Sequence, residues 1–242
     1  MFHDYKLSVN SKNRDEINFG EVAFFVRRLE GQEMTGGLRV KHRNKRVEQV
    51  LDAADALFRQ QGYEITKIEE IAELASVAPA SVYNYFKNKP NLLMEIALRH
   101  VRAALPERRK FLENLPDDPM KGILAFERLL ADQAVRHLTR ECWRVVMSAQ
   151  FLDTGGIAHR TGKRLDLLLR RQYMRMLAAY QQNGRIKPDV DLPVLCDLLL
   201  GIGSAALARL VTSSAMTPEA MREWGIPHLE MVLRGVIEEP KQ

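Results

Sequence analysis

From Asn44 onward the apolar residues recur in helical rhythm almost without interruption, and no run of alternating β-branched residues lies between turn pairs. This periodicity predicts an all-α chain. Val47, Val50, Leu51, Ala54, Leu57 and Phe58 fall on one face of a first helix, which Gly62 is placed to end. Thr66 then reads as the N-cap of a short helix, with Glu69 completing a capping box and Ile68, Ile71 and Ala72 turned inward. "ASV" makes a tight turn. Pro79 suits a first helical position, and Val77 and Val82 have the spacing of a hydrophobic staple. Asn88 is a good N-cap for a longer helix, predicted to run to about Ala104 and to stop before Pro106. The central pair of short helices has the layout of a helix-turn-helix, whose second helix enters a DNA major groove.

Bulk properties narrow the function without fixing it. The chain has 242 residues with 46% hydrophobic content, enough for one large domain or two modest ones. A net charge of +5 and a pI near 9.2 are a mild pointer to a polyanionic partner. Cys142 and Cys196 lie in apolar helical contexts with neither CxxC nor a Cys/His cluster, so they read as buried thiols of a reducing cytoplasm, with a redox pair as the alternative. The longest uncharged apolar run starts at Leu198, between Asp197 and Arg209, and is too short to span a bilayer; the N-terminus lacks the pattern of a signal peptide. No membrane partner is expected. No nucleophile elbow, phosphate loop, zinc-protease motif or dinucleotide turn occurs, and the six histidines show no metal-ligand spacing. The expectation is a non-enzyme with no cofactor and no metal.

Residues 76–93, "SVAPASVYNYFKNKPNLL", contain no Asp and no Glu although 28% of the whole chain is charged. A short buried helix excludes charge; so does a surface that meets an anion. Ser81, Tyr83, Asn84 and Tyr85 fall on or near the exposed face of the second short helix, where their hydroxyl and amide groups can reach base edges or phosphate. Covering a core edge is the other reading of the two tyrosines. Lys89 stands in the first turn of the next helix, where the macrodipole disfavours a cation unless a phosphate is also present.

The segment "AADALFRQQGYEITKIEEIAELASVAPASVYNYFKNKPNLL" resembles the N-terminal domain of TetR-family transcriptional regulators. The motif residues are Ala53, Ala54, Leu57, Phe58, Gly62, Tyr63, Thr66, Ile71, Ala72, Tyr83, Phe86, Lys89, Leu92 and Leu93, over about 50 residues with the family's spacing preserved. Two positions depart: Ser76 stands where the family usually has Gly, and Ala78 where it usually has a Ser or Thr cap. The resemblance implies that Lys89 contacts phosphate and that Thr66 and Lys67 approach the DNA backbone. The candidate DNA-contacting set is Arg43, Lys45, Thr66, Lys67, Ala80, Ser81, Tyr83, Asn84, Tyr85 and Lys89. Arg43 and Lys45 belong to a basic run, residues 39–46, read as lying just before the first helix and reaching phosphate or minor groove; a solvated charge cluster is the alternative.

The expected organisation is an N-terminal extension over 1–38, a three-helix DNA-binding domain over 39–92, and a helical domain over 93–242. In the extension, Val22, Phe25, Val26 and Leu29 have the spacing of a short helix face, and Met34 is an alternative start. The last helix is expected to be interrupted near Gly225 and Pro227. Family members bind inducers in the second domain and dimerise through their last two long helices. Phe126, Trp143, Met147, Gln150, Tyr173 and Met174 have the composition of a cavity for a small, mostly apolar effector, and equally that of an ordinary core. Arg136, Arg140 and Arg144 are read as one helix face, either solvated or holding an anion. Gly201, Ser204, Ala205 and Ala208 form a small-residue face, and Leu229, Val232, Leu233 and Val236 an apolar stripe on the last helix; both could pack inside one subunit, and the resemblance assigns them to the dimer. The functional expectation is a cytoplasmic homodimeric repressor that binds a palindromic operator in double-stranded DNA under small-molecule control. The alternative is a DNA-binding protein of this fold whose helical domain binds a protein partner.

Overall fold

The computed structural model describes residues 38–152 and 156–238; the N-terminal stripe from Val22 to Leu29 and Met34 lie outside them. The chain divides into two compact units, Met1–Lys41 and His42–Gln242, and the cores and contacts of the helices are those of the second. Nine helices occur among the described residues: α1 Leu38–Gln60, α2 Ile68–Leu74, α3 Pro79–Phe86, α4 Lys89–Glu113, α5 Pro119–His137, α6 Arg140–Leu152, α7 Ile157–Gln182, α8 Leu192–Thr212 and α9 Pro218–Arg234. The basic run 39–46 therefore forms the opening turns of α1 rather than preceding it.

Local signals account for most boundaries. Gly62 after α1 has φ of +93°, in the left-handed region. Pro79 opens α3, and the Asn88 side chain accepts from the Asn91 N–H at 2.8 Å to start α4. Asp118, Asp191 and Thr217 cap α5, α8 and α9 in the same way. The first short helix differs from expectation by one residue. Lys67 is its N-cap, and Glu70, not Glu69, returns a carboxylate oxygen to the N-cap N–H at 2.8 Å. Thr66 is buried, donating to the Gly62 carbonyl at 2.6 Å and accepting from the Gln61 side chain at 3.3 Å.

Two prolines expected to end or break helices sit inside them: Pro106 in α4 and Pro227 in α9. An internal proline removes a hydrogen bond and crowds the preceding turn, at about 3 kcal/mol. Tertiary packing outweighs that cost in both helices. α4 carries Ala104, Arg108 and Leu112 into the interior beyond Asn91 to Leu98, and α9 buries Met221, Gly225, Leu229 and Leu233 on both sides of its proline.

Two apolar cores result. The first joins α1, α2, α3 and the start of α4 around Val50, Ala54, Phe58, Ile71, Val82, Phe86 and Leu92, and includes Cys142 and Val146 of α6. The second gathers Ile123 and Phe126 of α5, Tyr173, Met176 and Leu177 of α7, Leu195 and Leu199 of α8, and Leu229 and Leu233 of α9. α4 contributes to both. Cys142 and Cys196 are free and buried; burial pushes both thiols up, Cys196 to about 11, so neither is a poised thiolate.

Candidate nucleic-acid interface and ligand cavity

Helix α3 buries Val82 and Phe86 and exposes Pro79, Ala80, Tyr83, Asn84 and the following Lys87. Ser81 is half-buried. Tyr85 is also half-buried, packing edge-on to Phe86 with the Arg43 guanidinium 6.0 Å from its ring centre. Arg43, Lys45 and Lys67 are exposed. The outward surface thus carries amide, phenol and cationic groups and no carboxylate from α3. The turn before α3 holds Ser76 at φ +53°, so the position that usually carries Gly in the resembling family needs left-handed backbone in this chain as well. Ala78 caps α3 with no side-chain hydrogen bond.

Two expected phosphate ligands are engaged internally. Thr66 is 1% exposed. The Lys89 ammonium lies 4.4 Å from the centre of the Tyr63 ring and donates to the carbonyls of Tyr63, Glu64 and Thr66 at 2.9, 3.2 and 3.1 Å. An ammonium has three donors, so all are used. These bonds pin the loop between α1 and α2 to the start of α4.

The same loop is held from the other side. The Glu141 carboxylate accepts the N–H of Tyr63 at 3.0 Å and of Glu64 at 2.7 Å. The φ of +93° favours glycine at 62, and a Cβ there would stand 2.9 Å from Glu141 Oε2 and push that carboxylate aside. Arg59, in the last turn of α1, reaches the carbonyls of Arg136 and His137 at the C-terminus of α5, at 3.3 and 2.7 Å, and pairs with Asp55 at 3.2 Å. His100 meets Asp55 at 3.1 Å and stacks on His137, ring centres 4.9 Å apart. Burial alone would raise Asp55, but the hydrogen bond and charge of His100, with Arg59, bring its carboxyl below the usual range. Burial, with His100 and the arginines, lowers His137.

A cavity of about 880 Å³ lies among α4 to α9. Leu124, Trp143, Val146, Met147, Leu165 and Leu169 supply apolar wall, and His100, His137 and Leu138 line the part next to the Arg59 contact. Three of the expected cavity residues, Trp143, Met147 and Tyr173, line it. Phe126 is fully buried in the second core and Met174 packs against that core; the Gln150 side chain lies outside the described residues. Sequence reasoning did not single out the polar members. Arg108 is 7% exposed and donates from Nε to Gln133 Oε1 at 2.6 Å and from Nη1 to Gln172 Oε1 at 3.2 Å. Gln133 passes the contact on to Glu107 at 2.8 Å. Burial lowers Arg108 to about 10, leaving it a cation at neutral pH. The Tyr173 hydroxyl donates to Glu127 Oε1, and burial pushes the Glu127 carboxyl up to about 7.

The three arginines do not share a helix. Leu138 and Thr139 separate Arg136 on α5 from Arg140 and Arg144 on α6. Arg140 donates to the carbonyls of Ser213 and Met216, and Arg144 to that of Val211, so both brace the end of α8. Arg136 stands 3.6 Å from Glu107.

Of the expected dimer residues, Gly201, Ser204 and Ala205 are exposed on α8 and Ala208 is half-buried. Leu229 and Leu233 are buried in their own subunit's core, and Val232 and Val236 pack against it; the α9 stripe faces inward because α9 packs on α5 and α8. Exposed apolar side chains on the last two helices include Val194 and Leu198 of α8, 54% and 50% exposed, and Met231 of α9; Phe151 of α6, Ile65 and Leu74 are exposed elsewhere. Helix α8 has 21 residues, and an 18-residue stretch of it has a mean hydropathy of 1.9, long and apolar enough by length and composition to cross a membrane. The shorter run from Leu198 understated it, because Asp197 and Arg209 lie within the helix rather than at its ends.

Comparison with known proteins agrees with this geometry. Residues 50–96 match the family model described as bacterial regulatory proteins, tetR family. An uncharacterized HTH-type transcriptional regulator, YfiR, of Bacillus subtilis is 22% identical over 69% of this chain and 80% of its own length. The HTH-type transcriptional regulator UidR of Escherichia coli is 24% identical over 66% of this chain and 78% of its own. Among solved structures, Thermus thermophilus FadR, a TetR-family transcriptional repressor in complex with lauroyl-CoA, superposes with a TM-score of 0.65 at 22% identity, covering 81% of this chain and 98% of that one. The helix-turn-helix at the matched residues, the curated regulator relatives and the shared all-helical fold together support a TetR-family transcriptional regulator.

Proposed function

We propose that the protein is a cytoplasmic homodimeric repressor whose affinity for a palindromic operator is set by a small molecule held in the cavity. The observation that carries this reading is the position of His137 and Leu138. They line the cavity, and the His137 carbonyl is at the same time held by Arg59 of α1. A ligand that moves the end of α5 therefore acts on the helix-turn-helix through Arg59, Glu141 and the loop that Lys89 pins. Operator affinity falls by the ratio of ligand affinities for the two arrangements. In this reading residues 39–92 form the DNA-binding part and 93–242 the effector part, with α4 common to both.

Base contacts fall to Ala80, Ser81, Tyr83 and Asn84, and backbone contacts to Arg43, Lys45, Lys67 and Tyr85. Thr66 and Lys89 position the loop instead, since their polar groups are occupied. One recognition helix reads only a few base pairs, so two are needed, related by a two-fold axis. The exposed face of α8 is the surface proposed to join them, through Val194, Leu198, Gly201 and Ala205 with Met231.

The alternative, a protein partner in place of a small ligand, expects a closed core in the helical domain; the cavity disfavours it. The test is selection of genome fragments by purified protein at moderate salt, with sequencing of the bound DNA. The expected result is one palindromic motif, lost in Asn84→Ala. Recovery of random fragments with purely salt-dependent affinity would overturn the repressor reading.

A further inference from the structure

The cavity wall has an unusual charge. Arg108 is almost fully buried, and its two hydrogen-bond acceptors, Gln133 and Gln172, are neutral amides. No carboxylate among the described residues is ion-paired with it; Glu107, beyond Gln133, offsets its burial only in part. Its Nη2 makes no hydrogen bond to a described residue, and no sealed side-chain polar atom there lacks a partner. Since Arg108 lines the cavity, that nitrogen has the cavity itself to face. A buried cation without a paired counter-charge is costly, and an anion arriving from water gains more at such a site than at a surface arginine.

We infer that the cavity takes an organic anion, a carboxylate or similar headgroup received by Arg108, with an apolar body lying along Leu124, Trp143, Leu165 and Leu169. This inference rests on the effector role proposed for the cavity. Four carboxyl-bearing residues line the cavity, Glu127, Asp166, Glu219 and Glu223, alongside the cations Lys121, Arg128 and Arg222, so acids in the lining do not by themselves exclude an anion. Glu127 already accepts the Tyr173 hydroxyl, and near neutrality about half of it is protonated, a donor toward the ligand rather than a full repelling charge. Glu219, also in the wall, is paired with Arg222 at 2.8 Å.

The test is calorimetric titration of the full-length protein with decanoate, decanol and decylamine, which share one chain and differ in headgroup charge. Decanoate is expected to bind about tenfold or more tightly than decanol, with decylamine weakest. Arg108→Gln should lower decanoate affinity about tenfold and move decanol by less than about threefold, removing the discrimination. Gln172→Glu keeps the arginine but gives it an internal carboxylate, and should abolish the preference equally, with a melting temperature no lower than the parent's. Tightest binding of decylamine, or a decanoate preference that survives both substitutions, overturns the inference. Decanol binding without a decanoate preference overturns it while leaving the effector cavity standing. Failure of all three probes to bind defeats the cavity's effector role and the inference together.

Discussion

Removing the Glu141 side chain tests the proposed route from cavity to DNA. Its carboxylate holds two consecutive backbone N–H groups of the α1–α2 loop, Tyr63 at 3.0 Å and Glu64 at 2.7 Å. Hydrogen bonds to a charged acceptor contribute about 1.5–3 kcal/mol each when desolvated, and less where water can replace them. The Tyr63 bond is partly buried and the Glu64 bond exposed, so Glu141→Ala should cost about 3 kcal/mol in all, roughly 2 from the first. For a chain of this size that is a fall in Tm of roughly 6–12 °C. Glu141→Gln keeps an acceptor but loses the charge, and should cost about half as much. Operator binding should survive in both, because α3 keeps its packing on Val82 and Phe86. What should fall is the ability of a cavity ligand to release DNA, read as the ratio of operator affinities with and without it. If Glu141→Ala melts within about 0.5 kcal/mol of the parent and retains full ligand response, the loop is held by other contacts and the proposed route is wrong.

Three other outcomes follow from particular residues. Ser76→Gly should stabilise the protein by about 0.5–1 kcal/mol in denaturant titration, since it relieves a φ of +53° without removing a core contact. Glu127→Gln should change the pH dependence of stability. The Glu127 carboxyl stands at about 7 in the folded protein against an ordinary 4.5, so the folded state holds more protons between those values. That contribution is complete below pH about 4.5 and is lost as pH rises through about 7, on the order of 2 kcal/mol after allowance for the accessible cavity. Parent and variant melts compared at pH 5 and pH 8 should therefore diverge in the variant's favour at the higher pH; parallel curves would count against the burial assigned to this group. Leu198→Asp, on the half-exposed face of α8, should convert a dimer to folded monomer in sedimentation velocity and weaken operator binding; an unchanged dimer would place the interface elsewhere.

What was legible in the sequence was what local chemistry encodes. Gly62, Pro79 and Asn88 each mark a boundary through their own φ, missing N–H or side-chain acceptor, and all three stand where expected. Signals that tertiary packing can override were less reliable. Pro106 and Pro227 carry an ordinary local stop, yet the helices continue because buried residues on both sides hold them. Thr66 has the chemistry of a cap, but its hydroxyl turns back to the Gly62 carbonyl instead. On α9, Leu229 and Leu233 have a periodicity that fits an interface as well as a core, and only the neighbouring helices decide. The cavity was half legible. Trp143 and Met147 resemble Phe126 and Met174 in composition, and nothing in the spacing separates a wall from a core. Arg108, Gln133 and Gln172 come from three different helices, so their grouping leaves no trace in the linear pattern.

Helix α4 has a mechanical consequence of its own. It is 25 residues long, roughly 37 Å, and runs from the lysine that pins the α1–α2 loop to Leu112 in the second core. The halves proposed to handle DNA and ligand are thus joined by one continuous helix with no linker between them. A protease should find no soft site at that junction: cleavage within α4 would strip buried side chains from both cores at once, and neither fragment should hold its shape alone.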